Sequence, residues 1–177
     1  MGGSPKGLMT IHGRTFVEEI ISKVRNITSS IYINANTGDF DFLDIPVFSD
    51  KITNKGPLGG IYSAMSLQLG QNYLFVPCDM PYIDEVILHK LVEWKDRAGA
   101  IVPSIFGKSN HMPLLMNNCC YPTVKHCIEE DKLRLGNLID LLRTEMVRWE
   151  KAELFPIVSK NFNTPEDLKQ LNASNHG

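Results

Sequence analysis

No apolar run in the sequence approaches the ~20 residues that a bilayer-spanning helix requires, and the N-terminus lacks the positive-then-apolar plan of a secretion signal. A membrane location is therefore not expected. Lys and Arg concentrate on no single stretch, and the formal net charge is only −2, so a nucleic-acid partner is not suggested either. Cysteine is scarce. Cys78, Cys119, Cys120 and Cys127 have the spacing of neither a CxxC zinc site nor a disulfide framework, and they read as reduced thiols of a cytoplasmic protein. His12, His89, His111, His126 and His176 show no metal-ligand spacing, and no Gly-x-Ser-x-Gly elbow marks a hydrolase. There is no low-complexity linker and no internal repeat. A small-molecule substrate remains open.

What is present is the composition of an ordinary globular chain, 43% apolar and 21% charged over 177 residues. That is enough for one domain, 1–177, with a substantial core, and short for two. Thr15 to Val24 sets Phe16, Ile20 and Val24 at helical spacing over an acidic first turn. Ser30 to Ile33 and Ile45 to Phe48 are short strand candidates. Gly56-Pro57 opens a helix through Ile61, Met65 and Leu69, closed by Gly70. Tyr73 to Val76 (YLFV) is the clearest buried strand, running straight into Pro77-Cys78-Asp79-Met80-Pro81. A helix over Ile83 to Trp94 follows, then strands at Ala98 to Pro103 and Met112 to Met116, helices at Tyr121 to Glu129 and Leu135 to Arg143, and a strand near Met146 to Trp149. Thr164 starts a last helix, with Pro165 in its first turn. This alternation predicts an α/β fold, a mostly parallel sheet with helices on both faces.

Ligands of such sheets bind beyond the carboxyl ends of the strands. Asn34, Asp50 and Asp79 each follow a strand candidate, and Lys6 lies among glycines near the start. A carboxylate at the end of a buried strand needs a cation or several donors. Mg²⁺ bound through one carboxylate plus triphosphate oxygens meets that need for Asp79; so does a cap on the helix from Ile83, and both stay open. Lys6 suits a phosphate charge or plain solvent. Asn34 suits a base or ribose, or a turn. The vicinal pair Cys119-Cys120 reads as small buried hydrophobes rather than a redox centre.

Taken in order, these pieces resemble the molybdenum cofactor guanylyltransferase (MobA-type) family. Met1-Gly2-Gly3-Ser4-Pro5-Lys6-Gly7-Leu8 is similar to the second half of its N-terminal signature loop. The likeness continues through Ile33-Asn34-Ala35-Asn36, Phe48-Ser49-Asp50, Gly56-Pro57-Leu58-Gly59-Gly60 and Phe75-Val76-Pro77-Cys78-Asp79-Met80-Pro81. It closes on Asn161-Phe162-Asn163-Thr164-Pro165-Glu166-Asp167-Leu168, the most discriminating piece. The resemblance implies a Rossmann-like nucleotidyltransferase that joins GMP from GTP to molybdopterin and releases pyrophosphate. It further implies Gly2, Gly3, Lys6, Asn34, Asp50 and Asp79 as GTP contacts, Lys6 and Asp79 as catalytic, Asp79 as the Mg²⁺ ligand, and Asn163 on the acceptor side. Molybdopterin-delivering proteins and molybdoenzymes are the protein partners implied.

Two departures qualify the pattern. The family's first strand and the Leu-Ala-Gly-Gly half of its loop have no counterpart ahead of Met1, and residues preceding Met1 are expected to supply them. The family's usual Asp before the lysine is Pro5, which removes a carboxylate and a backbone donor. The alternatives are a relative using CTP or a sugar or alcohol phosphate, and a non-catalytic nucleotide- or pterin-binding protein.

Overall fold

A computed structural model describes residues 5–11, 13–105 and 108–149. A short hairpin, β1 (Thr10–Ile11) and β2 (Arg14–Thr15), leads into α1 (Phe16–Val24). The start of α1 is locally encoded. The Thr15 hydroxyl accepts from the Glu18 amide at 3.3 Å, and the Glu18 carboxylate accepts from the Thr15 amide at 2.8 Å, a reciprocal cap for two otherwise orphaned donors. Phe16, Val17, Ile20 and Ile21 form its buried stripe.

Then come β3 (Ile33–Asn34), β4 (Val47–Phe48), α2 (Gly56–Ser66), β5 (Asn72–Phe75), α3 (Glu85–Glu93), β6 (Ala100–Ile105), β7 (Lys108–Ser109), β8 (Leu114–Asn117), α4 (Tyr121–Glu129), α5 (Leu135–Leu141) and β9 (Thr144–Trp149). The α/β class and the helices on both faces are as the sequence predicts. Along β6, Ala100 and Val102 face one way and Ile101 the other; along β8, Leu114 and Met116 oppose Leu115. The first set packs with Leu58, Ile61 and Met65 of α2, Val124 and Cys127 of α4, and Leu138 of α5. The second packs with Ile87, Leu88 and Leu91 of α3 and with Val147. The period-two side-chain alternation of a strand thus serves two cores at once, each fully buried Leu or Ile contributing about 1.5–3 kcal/mol.

Strand direction departs from the mostly parallel expectation. Among the described residues β3 pairs parallel with β4 and β6 with β9, whereas β8 runs antiparallel to both β5 and β6, and β7 antiparallel to β6. The cause is connection length. A parallel neighbour needs a crossover of roughly a dozen residues or more, and β6 reaches β8 through β7 without a helix.

Other boundaries differ too. Of Ser30 to Ile33 only Ile33 is strand, with β3 running on to Asn34. Helix α2 stops at Ser66, leaving Leu69 beyond it and exposed. The run Tyr73 to Val76 is half-buried rather than buried, because β5 hydrogen-bonds to a strand on one side only among the described residues. Cys120 is buried as expected, but Cys119 is exposed. Gly2, Gly3, Asn163 and the closing helix from Thr164 lie outside the described residues.

Candidate active site

Because β8 opposes both β5 and β6, and β6 is parallel to β9, strands β5, β6 and β9 all point the same way. The loop leaving β5 carries Asp79. Its carboxylate is 13% exposed, with Oδ2 3.4 Å from the Lys6 ammonium. Its other oxygen, Oδ1, is buried and has no hydrogen-bond partner among the described residues. The capping alternative is excluded by the residue that does cap: Asp84 accepts from the Val86 amide at 2.8 Å and opens α3. Asp79 is therefore a carboxylate with one oxygen beside a cation and the other unsatisfied in a desolvated place, where a lone acceptor costs about 1–3 kcal/mol.

The parallel register of β3 and β4 brings the second cluster together. Asn34 Nδ2 donates to Asp50 Oδ1 at 3.0 Å and to the Phe48 carbonyl at 3.3 Å. Asn36 Nδ2 donates to Asp50 Oδ2 at 2.9 Å, and the Asp50 amide donates to Asn36 Oδ1 at 2.8 Å. Asn34 and Asn36 are two apart, so an extended chain turns both to one side. Asn36 carries no role in the resemblance, and its signal in the sequence is the Asn repeated at strand spacing.

Helix α2 approaches this cluster closely. A Cβ at Gly60 would collide with Asn34 Oδ1 and come within 3.7 Å of Asp50 Oδ1, so only glycine fits there without displacing the amide. The first turn of α2 has Pro57 near its start and no side-chain cap, since Lys55 precedes it. Its first amides are thus left without a side-chain partner of the usual capping kind. The two clusters are linked by the loop after Asn36. The buried Phe40 ring lies 3.1 Å from where a Cβ on Gly7 would stand, and Cys78 Cβ lies 3.4 Å from the same point. Cys78 itself is exposed. Its thiol is nonetheless partly desolvated by the loop, and that desolvation, with the Asp79 charge second, pushes it above its ordinary pKa. The thiol therefore stays protonated near neutrality.

Asn34 thus ends β3, Asp50 and Asp79 lie beyond β4 and β5, and Lys6 stands against the loop after β5, Lys6 meeting Asp79 and Asn34 meeting Asp50. The described residues contain no group of three or more His, Cys, Asp or Glu able to hold a metal alone. A divalent cation here needs most of its oxygens from a ligand, which is how Mg²⁺ commonly binds with phosphates. No helix among the described residues is long and apolar enough to cross a membrane.

Comparison with known proteins gives the family and the fold. Residues 1–145 match the sequence model of the family described as "MobA-like NTP transferase domain". A "Probable molybdenum cofactor guanylyltransferase" of Flavobacterium johnsoniae is 29% identical over 172 residues, covering 97% of this chain and 90% of the relative. One of the same description from Methanothermobacter thermautotrophicus is 32% identical over 182 residues, covering 94% and 90%. The fold is shared with the crystal structure of molybdopterin-guanine dinucleotide biosynthesis protein A from Archaeoglobus fulgidus, with TM-score 0.74, 18% identity, and coverage of 93% and 87%. It is also shared with 2-C-methyl-D-erythritol 4-phosphate cytidylyltransferase from Thermus thermophilus, with TM-score 0.72, 13% identity, and coverage of 99% and 96%. With the family match running over residues 1–145, most of its length, this chain belongs to the MobA-like NTP transferase family.

Proposed function

We propose that this chain, acting as one domain over 1–177, transfers GMP from GTP to the terminal phosphate of molybdopterin, forming the guanine dinucleotide cofactor and pyrophosphate. The observation that carries the proposal is Asp79, held on the loop leaving β5 with Oδ1 unsatisfied among the described residues and Oδ2 beside Lys6. A bound Mg²⁺ would be held by that carboxylate together with triphosphate oxygens, and it supplies neutralisation of phosphate charge. The relatives named as molybdenum cofactor guanylyltransferases support the guanine and pterin substrates.

The acceptor phosphate is already an anion, so the reaction needs no general base. Its oxygen attacks the α-phosphorus, the bond from that phosphorus to the β-phosphate oxygen breaks, and the electron pair leaves with pyrophosphate. The obstacle is repulsion between nucleophile and triphosphate. Lys6 offsets that repulsion as a fixed cation, which is catalysis by positioning and electrostatics. Asp50 suits the base side. A guanine edge presents N–H donors, and a carboxylate offers about four lone-pair sites, of which the Asn34 and Asn36 amides take two. Gly2, Gly3 and Asn163 remain proposed contacts with GTP and the acceptor. A cytoplasmic location, with molybdopterin-delivering proteins and molybdoenzymes as partners, belongs to the same proposal.

Thermal-shift titration with GTP, CTP, ATP and UTP, each with Mg²⁺, tests the assignment, since a ligand that binds only the folded state raises its stability. GTP should stabilise most. Larger stabilisation by CTP would overturn the guanine reading in favour of the cytidylyltransferase chemistry named for one protein of the same fold.

A further inference from the structure

The last turn of α1 carries a half-buried cation that the mechanism above does not use. Lys23 Nζ donates to the carbonyl of Pro81 at 2.6 Å and to that of Ile83 at 2.9 Å. Both belong to the loop that presents Asp79. This loop has little of its own to hold it. Pro77 and Pro81 lack backbone donors, and among the described residues the loop makes one internal backbone hydrogen bond, Ile83 N–H to the Met80 carbonyl at 3.0 Å. Its side chains anchor it as well: Met80 and Ile83 are each 2% exposed, and Tyr82 packs against the cluster of Ile11 and Phe16.

An ammonium withdrawn from water is costly unless its donors are used. Desolvation pushes the Lys23 pKa below its ordinary value, with Glu19 on the same helix and Asp84 and Glu85 at the far end of the loop opposing that shift. Lys23 thus ties a rigid helix to the backbone two and four residues past Asp79. A carboxylate touched among the described residues by one side-chain partner, the Lys6 ammonium, on one oxygen depends on backbone placement for where its other oxygen points. Groups that orient a metal ligand without touching the metal commonly change its affinity when removed.

We propose that Lys23 is a positioning residue for Asp79: by holding the Pro81 and Ile83 carbonyls it fixes the loop that aims the carboxylate, and so sets how strongly the site takes a divalent cation together with a nucleoside triphosphate. The proposal rests on Asp79 being the cation ligand, and its test separates the two claims.

GTP affinity is measured by calorimetry across a Mg²⁺ series and in EDTA, with melting temperature recorded for each protein. In the unaltered protein GTP binding tightens as Mg²⁺ rises. Asp79→Ala removes that dependence. Lys23→Met shifts the Mg²⁺ concentration for half-maximal tightening upward, roughly 10- to 100-fold, while GTP affinity in EDTA is unchanged. Lys23→Arg, which keeps two donors, restores the dependence, and Lys23→Gln gives a smaller shift in a protein that retains a neutral donor. Val24→Ala, which removes packing from the same turn without touching the loop carbonyls, lowers the melting temperature and leaves the Mg²⁺ dependence alone. Normal Mg²⁺ dependence in Lys23→Met and Lys23→Gln would reduce Lys23 to a structural staple and overturn the proposal. An Asp79→Ala protein that keeps its Mg²⁺ dependence would overturn the metal reading itself.

Discussion

Replacing Gly60 with alanine separates stability from nucleotide binding at one position. In the interior of a helix this change ordinarily stabilises by about 0.5–1 kcal/mol. Here the new methyl would collide with Asn34 Oδ1 and stand 3.5 Å from Asn34 Cγ. The neighbour that must give is a side-chain amide rather than backbone, so Asn34 rotates away and α2 keeps its place. The rotation breaks the bonds from Asn34 Nδ2 to Asp50 Oδ1 and to the Phe48 carbonyl. Each is worth about 0.5–1.5 kcal/mol, and both are near the surface, where water replaces them cheaply. The helix gain and the hydrogen-bond loss nearly cancel, and folding stability should change by no more than about 1 kcal/mol. Nucleotide binding has no such compensation. Asp50 loses one of the two amides that orient it, and the rotated Asn34 intrudes on the space beside it. A loss of about 1.5–3 kcal/mol, or roughly 10- to 100-fold in GTP affinity, is expected. Gly70→Ala, whose Cβ would meet only the Asn72 carbonyl at 3.7 Å, is the control and should leave GTP affinity unchanged. Calorimetric titration with GTP and thermal melting of both variants decide the matter. Unaltered GTP affinity in Gly60→Ala at an unaltered melting temperature would refute the reasoning that the Asn34–Asp50 pair forms the wall of the nucleotide site.

Asp79→Ala should abolish Mg²⁺-dependent turnover while leaving the melting temperature equal or higher, because it removes a buried acceptor that has no partner among the described residues; retained turnover in a steady-state pyrophosphate-release assay would exclude the metal role. Lys6→Ala should weaken GTP binding by about 1.5–3 kcal/mol through loss of a charge-assisted phosphate contact, and equal affinity by calorimetry would rule that contact out. Thr15→Ala should cost about 1 kcal/mol of folding stability at neutral pH through loss of the α1 cap. The Glu18 pKa is lowered, first by the Thr15 side chain and then by its backbone. Its share of the stability is therefore present above the ordinary glutamate range and lost as pH falls through the folded value. Chemical denaturation of both proteins at neutral and acid pH should accordingly show the mutational cost shrinking in acid, and a cost that grows in acid would contradict the linkage.

Local chemistry is where the sequence spoke clearly. The helical spacing and acidic first turn of α1 and the short apolar runs of β6 and β8 each depend on residues a few positions apart, so spacing alone exposes them. The polar residues after the strands were legible for the same reason: Asn34, Asp50 and Asp79 are incongruous beside apolar runs. Three-dimensional packing decided the rest. That Asp84 rather than Asp79 caps α3, that Asn36 shares the Asp50 carboxylate, and that Lys6 reaches Asp79 across 73 positions are facts of proximity that one-dimensional spacing cannot carry. Strand direction was hidden likewise, since an apolar run reads identically in either direction and only the short β6–β7–β8 connection sets it. The half-burial of β5 depends on which neighbours a strand has, and nothing near Lys23 in the sequence signals the two loop carbonyls that the fold sets against it. Sequence determines what each segment prefers to become; which polar groups then meet depends on contacts between segments far apart in the chain, where the desolvation and pairing energies of the site arise.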